Sequence, residues 1–179
     1  SQPAIDSLLF RSGRVEWPIG CAYASCDFVS SHFIGAAILL LISESAGQAG
    51  CMQALGQIEL GQGNHQAARL DTERGLALFQ GLGELDGQAG CLLLLGQISL
   101  AQGRLENACE QIERSMAINT QVGDGNGEAQ CLQMLGHMEL SQRHFDTARA
   151  RFERALLLAD RFGDQILKAS CLLTLGQID

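Results

Sequence analysis

The chain has 179 residues, 46% of them hydrophobic and 18% charged, with a net charge of −8. It holds enough apolar material for a core, but its twelve Lys and Arg are scattered, and a nucleic-acid partner needs a basic stripe against its phosphates. The longest apolar run, Ile34 to Ile42, is too short to cross roughly 30 Å of hydrocarbon and follows no basic leader, so neither a membrane span nor a secretory signal is expected.

Residues 1–46 carry the least pattern. Pro18 is placed to open a short helix reaching Cys26, since proline is tolerated in a first turn. Gly35 falls 40 residues before Gly75, and Ile38-Leu39 fall 40 before Leu78-Phe79. Residues 28–45 are therefore expected to form the second helix of a degenerate repeat or helical cap.

From Gly47 onward the text repeats. Cys51, Cys91, Cys131 and Cys171 lie 40 residues apart, and Leu55-Gly56, Leu95-Gly96, Leu135-Gly136 and Leu175-Gly176 keep the same register. Internal periods of this length indicate stacked supersecondary units. The expected units are 47–86, 87–126 and 127–166, with 167–179 as the first helix of a truncated further repeat. The chain opens on Ser1 and closes inside that helix, so it is expected to be part of a longer array.

Each unit splits into two helical segments. In 87–126, Ala89, Leu92, Leu93, Gly96 and Leu100 recur at helical steps along one face, and Gln102-Gly103 breaks the run. Leu105, Ala108, Ile112, Ser115, Met116 and Asn119 then form a second apolar face. Opposite them stand Glu106, Glu110, Glu113 and Arg114, with Glu110 and Arg114 spaced for an i,i+4 pair. Val122 to Asn126 reads as a closing loop. A glycine inside a helix costs about 1 kcal/mol relative to alanine, so Gly56, Gly96 and Gly136 imply close approach of a paired helix. Ala68, Ala108 and Ala148 stand where that helix comes nearest, and Leu95 and Ala108 are expected to be buried at this contact.

On these residues the chain resembles the tetratricopeptide repeat in a 40-residue form. The third copy carries the family pattern through Leu135, Gly136, Phe145, Ala148, Phe152 and Ala155. The second copy places Ser115 at the last of these positions. The first has His65, Thr72 and Gly75, which predicts a weaker second helix. The frequent tyrosine after Leu-Gly is missing, its place taken by Glu59, Ser99 and Glu139. The resemblance spans residues 47–179 and implies an all-α fold, an α-solenoid of stacked antiparallel helix hairpins in a right-handed superhelix.

The cysteine rungs invite a metal or redox reading. Stacked helices lie about 8–10 Å apart, beyond the ~6.8 Å Cα separation a disulfide tolerates. Single rungs also do not converge on a tetrahedral metal. The cysteines are expected to be small buried hydrophobes, reduced, in a cytoplasmic compartment. His65 and His144 fall at turns, and Cys131 and His137 point about 120° apart. No nucleophile-elbow, zincin or phosphate-loop motif occurs, so neither enzymatic activity nor a cofactor is expected.

The resemblance further implies that the first helices line a concave groove. By register it shows Gln57, Gln97, His137 and Gln177 in one row. Gln53, Leu93, Gln133 and Leu173 form a second, and Leu60, Leu100 and Leu140 a third. Relatives that clamp an acidic peptide terminus use Lys and Arg here, whereas 47–61 and 87–101 contain neither. Gln amides both donate and accept, which suits the backbone of a protein or peptide partner, with little dependence on salt. The function expected is a non-catalytic protein-interaction scaffold. The alternative is a regulatory or sensor arm of a larger signalling ATPase or transcription regulator, a setting in which such arrays occur.

Overall fold

The computed structural model describes residues 45–178; the readings made of 1–44, including the Pro18 helix and most of the 28–45 segment, lie outside them. Seven helices follow in order: α1 (Ser45–Gly61), α2 (His65–Leu82), α3 (Leu85–Ala101), α4 (Leu105–Val122), α5 (Gly125–Ser141), α6 (Phe145–Phe162) and α7 (Gln165–Ile178). No strand occurs among the described residues. The architecture is the expected one: α1–α2, α3–α4 and α5–α6 are antiparallel hairpins stacked in sequence, and α7 packs on α6.

Of the two connections, the closing loop is tighter than the sequence suggested. Gly63 and Gly103 take positive φ at the first-to-second-helix turn, where the left-handed backbone costs glycine nothing. The third hairpin places Arg143 there instead, at φ 63°, the sole non-glycine residue with positive φ among those described. At the other end Gly123 caps α4 in the left-handed conformation, and Asp124 N–H bonds the Asn119 carbonyl at 2.9 Å. The closing loop is only Gly123 and Asp124, because α5 starts at Gly125.

The first helices are buried on two sides rather than on one face. On α3, Cys91, Leu92, Leu94, Leu95, Gly96, Ile98 and Ser99 are all buried. Such a helix is clamped between the second helix before it and the one after it. Leu95 is buried as expected, but in the cluster with Ala68 of the preceding hairpin and Ile98. Ala108 belongs to the next cluster, with Ile112, Cys131 and Leu135. The two residues therefore do not share the contact assigned to them, because α3 divides its apolar residues between two neighbours.

The helix glycines do permit close approach. A Cβ on Gly96 would stand 2.6 Å from Ile112 Cγ1, and one on Gly136 2.9 Å from the Phe152 ring. The pressing side chain is thus Thr72, Ile112 or Phe152, one turn beyond the alanine, and in the first two hairpins the alanine adds its carbonyl oxygen. α2 has 18 residues, like α4 and α6. Glu110 and Arg114 take part in none of the ion pairs described, whereas Arg69 and Glu73 on α2 form an i,i+4 pair at 3.7 Å.

Gly176 has nothing within 4 Å of its Cβ position, and Leu172 is 51% exposed where Leu92 and Leu132 are each 3% exposed. In the earlier units that face is covered by the second helix of the same hairpin.

Candidate functional site

Successive first helices touch one another (α1 with α3, α3 with α5, α5 with α7), whereas α2, α4 and α6 make no mutual contacts. The first helices therefore form the more closely packed, inner side of the stack. The inner side is nearly free of cations, since α1, α3 and α5 contain no Lys or Arg. Lys168 of α7 is ion-paired with Asp160. The remaining described cations stand on second helices and turns.

Of the three rows, the structure brings Leu93, Gln97 and Gln133 together. They line a cleft of about 350 Å³ between α3, α5 and α7, with Gln130, Met134, Asp164, Ile166, Leu167 and Ser170. Gln57, Gln177 and Leu173 are exposed outside it. Leu60, Leu100 and Leu140 are half-buried against core clusters, so that row is largely spent on packing. His137 is exposed and its ring meets the Phe152 ring edge-on at 5.0 Å between centroids. Loss of hydration there lowers its pKa, which favours the neutral imidazole.

The glutamines are not idle donors. Gln133 Nε2 donates to Ser170 Oγ at 2.6 Å, and Gln97 Nε2 reaches Met134 Sδ at 3.8 Å, each across to the next first helix. Gln53 lies over Gly90, where an added Cβ would stand 2.5 Å from its Nε2. Gln133 is thus committed to the neighbouring rung, while Gln97 has only a weak thioether acceptor and Gln130 is exposed.

Asp164 and Ile166 were not legible as site residues, because they fall in what reads as the tail of the 127–166 unit. The 40-residue register held the clue: Asp86, Asn126 and Ile166 are equivalent, as are Glu84, Asp124 and Asp164. Asp164 Oδ1 accepts from Ile166 N–H at 3.1 Å and Leu167 N–H at 2.9 Å, capping α7.

Cys91, Cys131 and Cys171 are buried free thiols in the seams between units, as expected, and Cys51 is half-buried. Burial pushes Cys91 up to about 11 and also raises Cys131 and Cys171. Cys131 Sγ lies 3.5 Å from Ser115 Oγ. No cluster of three or more His, Cys, Asp or Glu suited to a metal occurs among the described residues. No described helix is long and apolar enough to cross a membrane.

Comparison with known proteins agrees with this architecture. Residues 88–161 match the family model of the tetratricopeptide repeat. Among solved structures, the chain is similar to the crystal structure of BtubC (BKLC) from P. vanneervenii, with a TM-score of 0.59 and 16% identity. The match covers 76% of this chain and 65% of that one. At that identity the likeness is one of fold. No curated protein matches the sequence.

Proposed function

We propose that this tetratricopeptide-repeat array is a non-catalytic scaffold that binds a protein or peptide partner along its concave first-helix face. Tetratricopeptide repeats are generally protein-interaction modules and typically non-catalytic. The observation that carries the reading is the segregation of chemistry. Amides and aliphatic side chains line the inside, where α1, α3 and α5 have no Lys or Arg, and the cations stand outside. A surface of this kind suits a partner held by apolar contact and backbone hydrogen bonds rather than by its carboxylates. The buried free thiols support a reducing, cytoplasmic setting as part of the same proposal.

The test is position-specific capture in cells. A photo-crosslinking amino acid placed at Gln97 or Gln57 is expected to trap a partner, and one placed at Arg114 on the outer face is expected to trap none. Capture from Arg114 alone would move the site to the convex side.

A further inference from the structure

We propose that the cleft between α3, α5 and α7 takes an aliphatic side chain from a partner segment that carries a lysine or arginine beside it, the cation meeting Asp164. This rests on the first-helix face being the binding surface, and narrows that reading to one partner chemistry.

Ile166 carries the apolar half of the argument. It is 85% exposed at the rim of the cleft, although the equivalent residues of the two earlier repeats are Asp86 and Asn126. Those two are exposed even with a further repeat stacked beyond them, so exposure belongs to the position. The oddity is the aliphatic side chain placed there. Single exposed hydrophobes are ordinary, but this one stands over a recess that also contains Leu93, Met134 and Leu167. Leu173, on the same helix, is 70% exposed. An aliphatic group entering from solvent would cover Ile166 and reach the recess.

Charge fixes the other half. Asp164 is the cleft's sole charged lining residue. Its Oδ1 takes both capping N–H groups, and Oδ2 takes part in none of the hydrogen bonds described. Lys168, one turn further along, is paired with Asp160. The lining therefore offers a carboxylate and no cation, favouring a basic neighbour and repelling an acidic one. Gln97 and Gln130 flank the recess with amides for the segment's backbone. A single carboxylate makes binding mildly sensitive to salt, somewhat more than the glutamine rows alone imply.

The experiment selects from a library of random short peptides on the full chain and measures the enriched peptides against variants by fluorescence anisotropy. Enriched sequences are expected to pair an aliphatic residue with Lys or Arg and to be poor in Asp and Glu. Ile166→Asn, which installs the residue type of the preceding repeat on an exposed site, should weaken binding about tenfold. Asp164→Asn keeps a capping side chain; it should weaken the basic peptide severalfold and leave its glutamine-substituted counterpart unchanged. Acidic enrichment would overturn the inference. So would binding that survives both variants but falls with Gln57→Ala, an outcome that leaves the groove reading standing. Peptides indifferent to every first-helix variant, or no selected peptide at all, would overturn the groove reading and this inference with it.

Discussion

The first hairpin, α1–α2, and the third, α5–α6, share helix lengths and register but fill their contacts in opposite order. In the third, Phe152 presses on Gly136 in mid-helix, and the far end of α6 carries Ala159. In the first, the mid-helix residue opposite Gly56 is the smaller Thr72, and the far end of α2 carries Phe79. The next first helix answers each choice. A Cβ on Gly87 would clash with the Phe79 ring, whereas Leu167, at the equivalent place beside Ala159, is itself buried. At these two seams volume is conserved by trading a large residue on one helix for a small one on the other. The repeat preserves helix positions and total packing, and leaves free which side supplies the bulk.

The largest expected effect breaks the mid-helix contact. Phe152→Ala should cost about 3–5 kcal/mol of unfolding free energy, as buried aromatic truncations do. Thr72→Ala should cost about 1 kcal/mol, since Thr72 Oγ1 only bonds back to the Ala68 carbonyl of its own helix, at 2.6 Å. Urea unfolding of both variants measures the contrast. Equal costs would show that the two hairpins do not differ as described.

The volume trade predicts a rescue. Phe79→Ala leaves a cavity, and Gly87→Leu alone overpacks the seam by about 1–3 kcal/mol. Together they reproduce the arrangement of Ala159 and Leu167. The double variant should be more stable than the sum of the singles predicts by at least about 1 kcal/mol. Simple additivity in a double-mutant cycle would mean that the two positions do not compensate.

Smaller effects separate the cysteine rungs. A thiol-alkylating reagent near neutral pH should modify half-buried Cys51 before buried Cys91 and Cys131. Folding holds Cys91 protonated up to about 11, against 9.0 for an ordinary thiol. Its contribution to stability is therefore complete below pH 9.0 and falls away as pH rises from 9.0 towards about 11. Mass spectrometry of partially modified protein gives the order of reaction, and denaturation across alkaline pH gives the window. Early modification of Cys131 would place it outside the seam.

The repeat, the hairpins and the buried alanines were legible because the residues that recur at 40-residue intervals also do the packing. The Phe79–Gly87 and Ala159–Leu167 trades were not, because a large residue at one place and a small one at another look like unrelated departures until the two helices are brought together. The rows of first-helix residues were legible by register, but not what their side chains touch. Register shows that Gln97 and Gln133 face inward, yet only coordinates show Gln133 committed to Ser170 and Gln97 resting on Met134. Asp164 and Ile166 were hidden by unit boundaries drawn two residues inside the true helix starts, which assigned them to a loop.

The most direct test of the account measures a captured partner, or a peptide derived from it, against Gln97→Ala and Arg114→Ala at low and high ionic strength. Gln97→Ala should weaken binding and Arg114→Ala should leave it unchanged, with only a shallow loss as salt rises. Binding that survives Gln97→Ala but collapses with Arg114→Ala, or that falls steeply with salt, would contradict a concave site built from amides and aliphatic side chains.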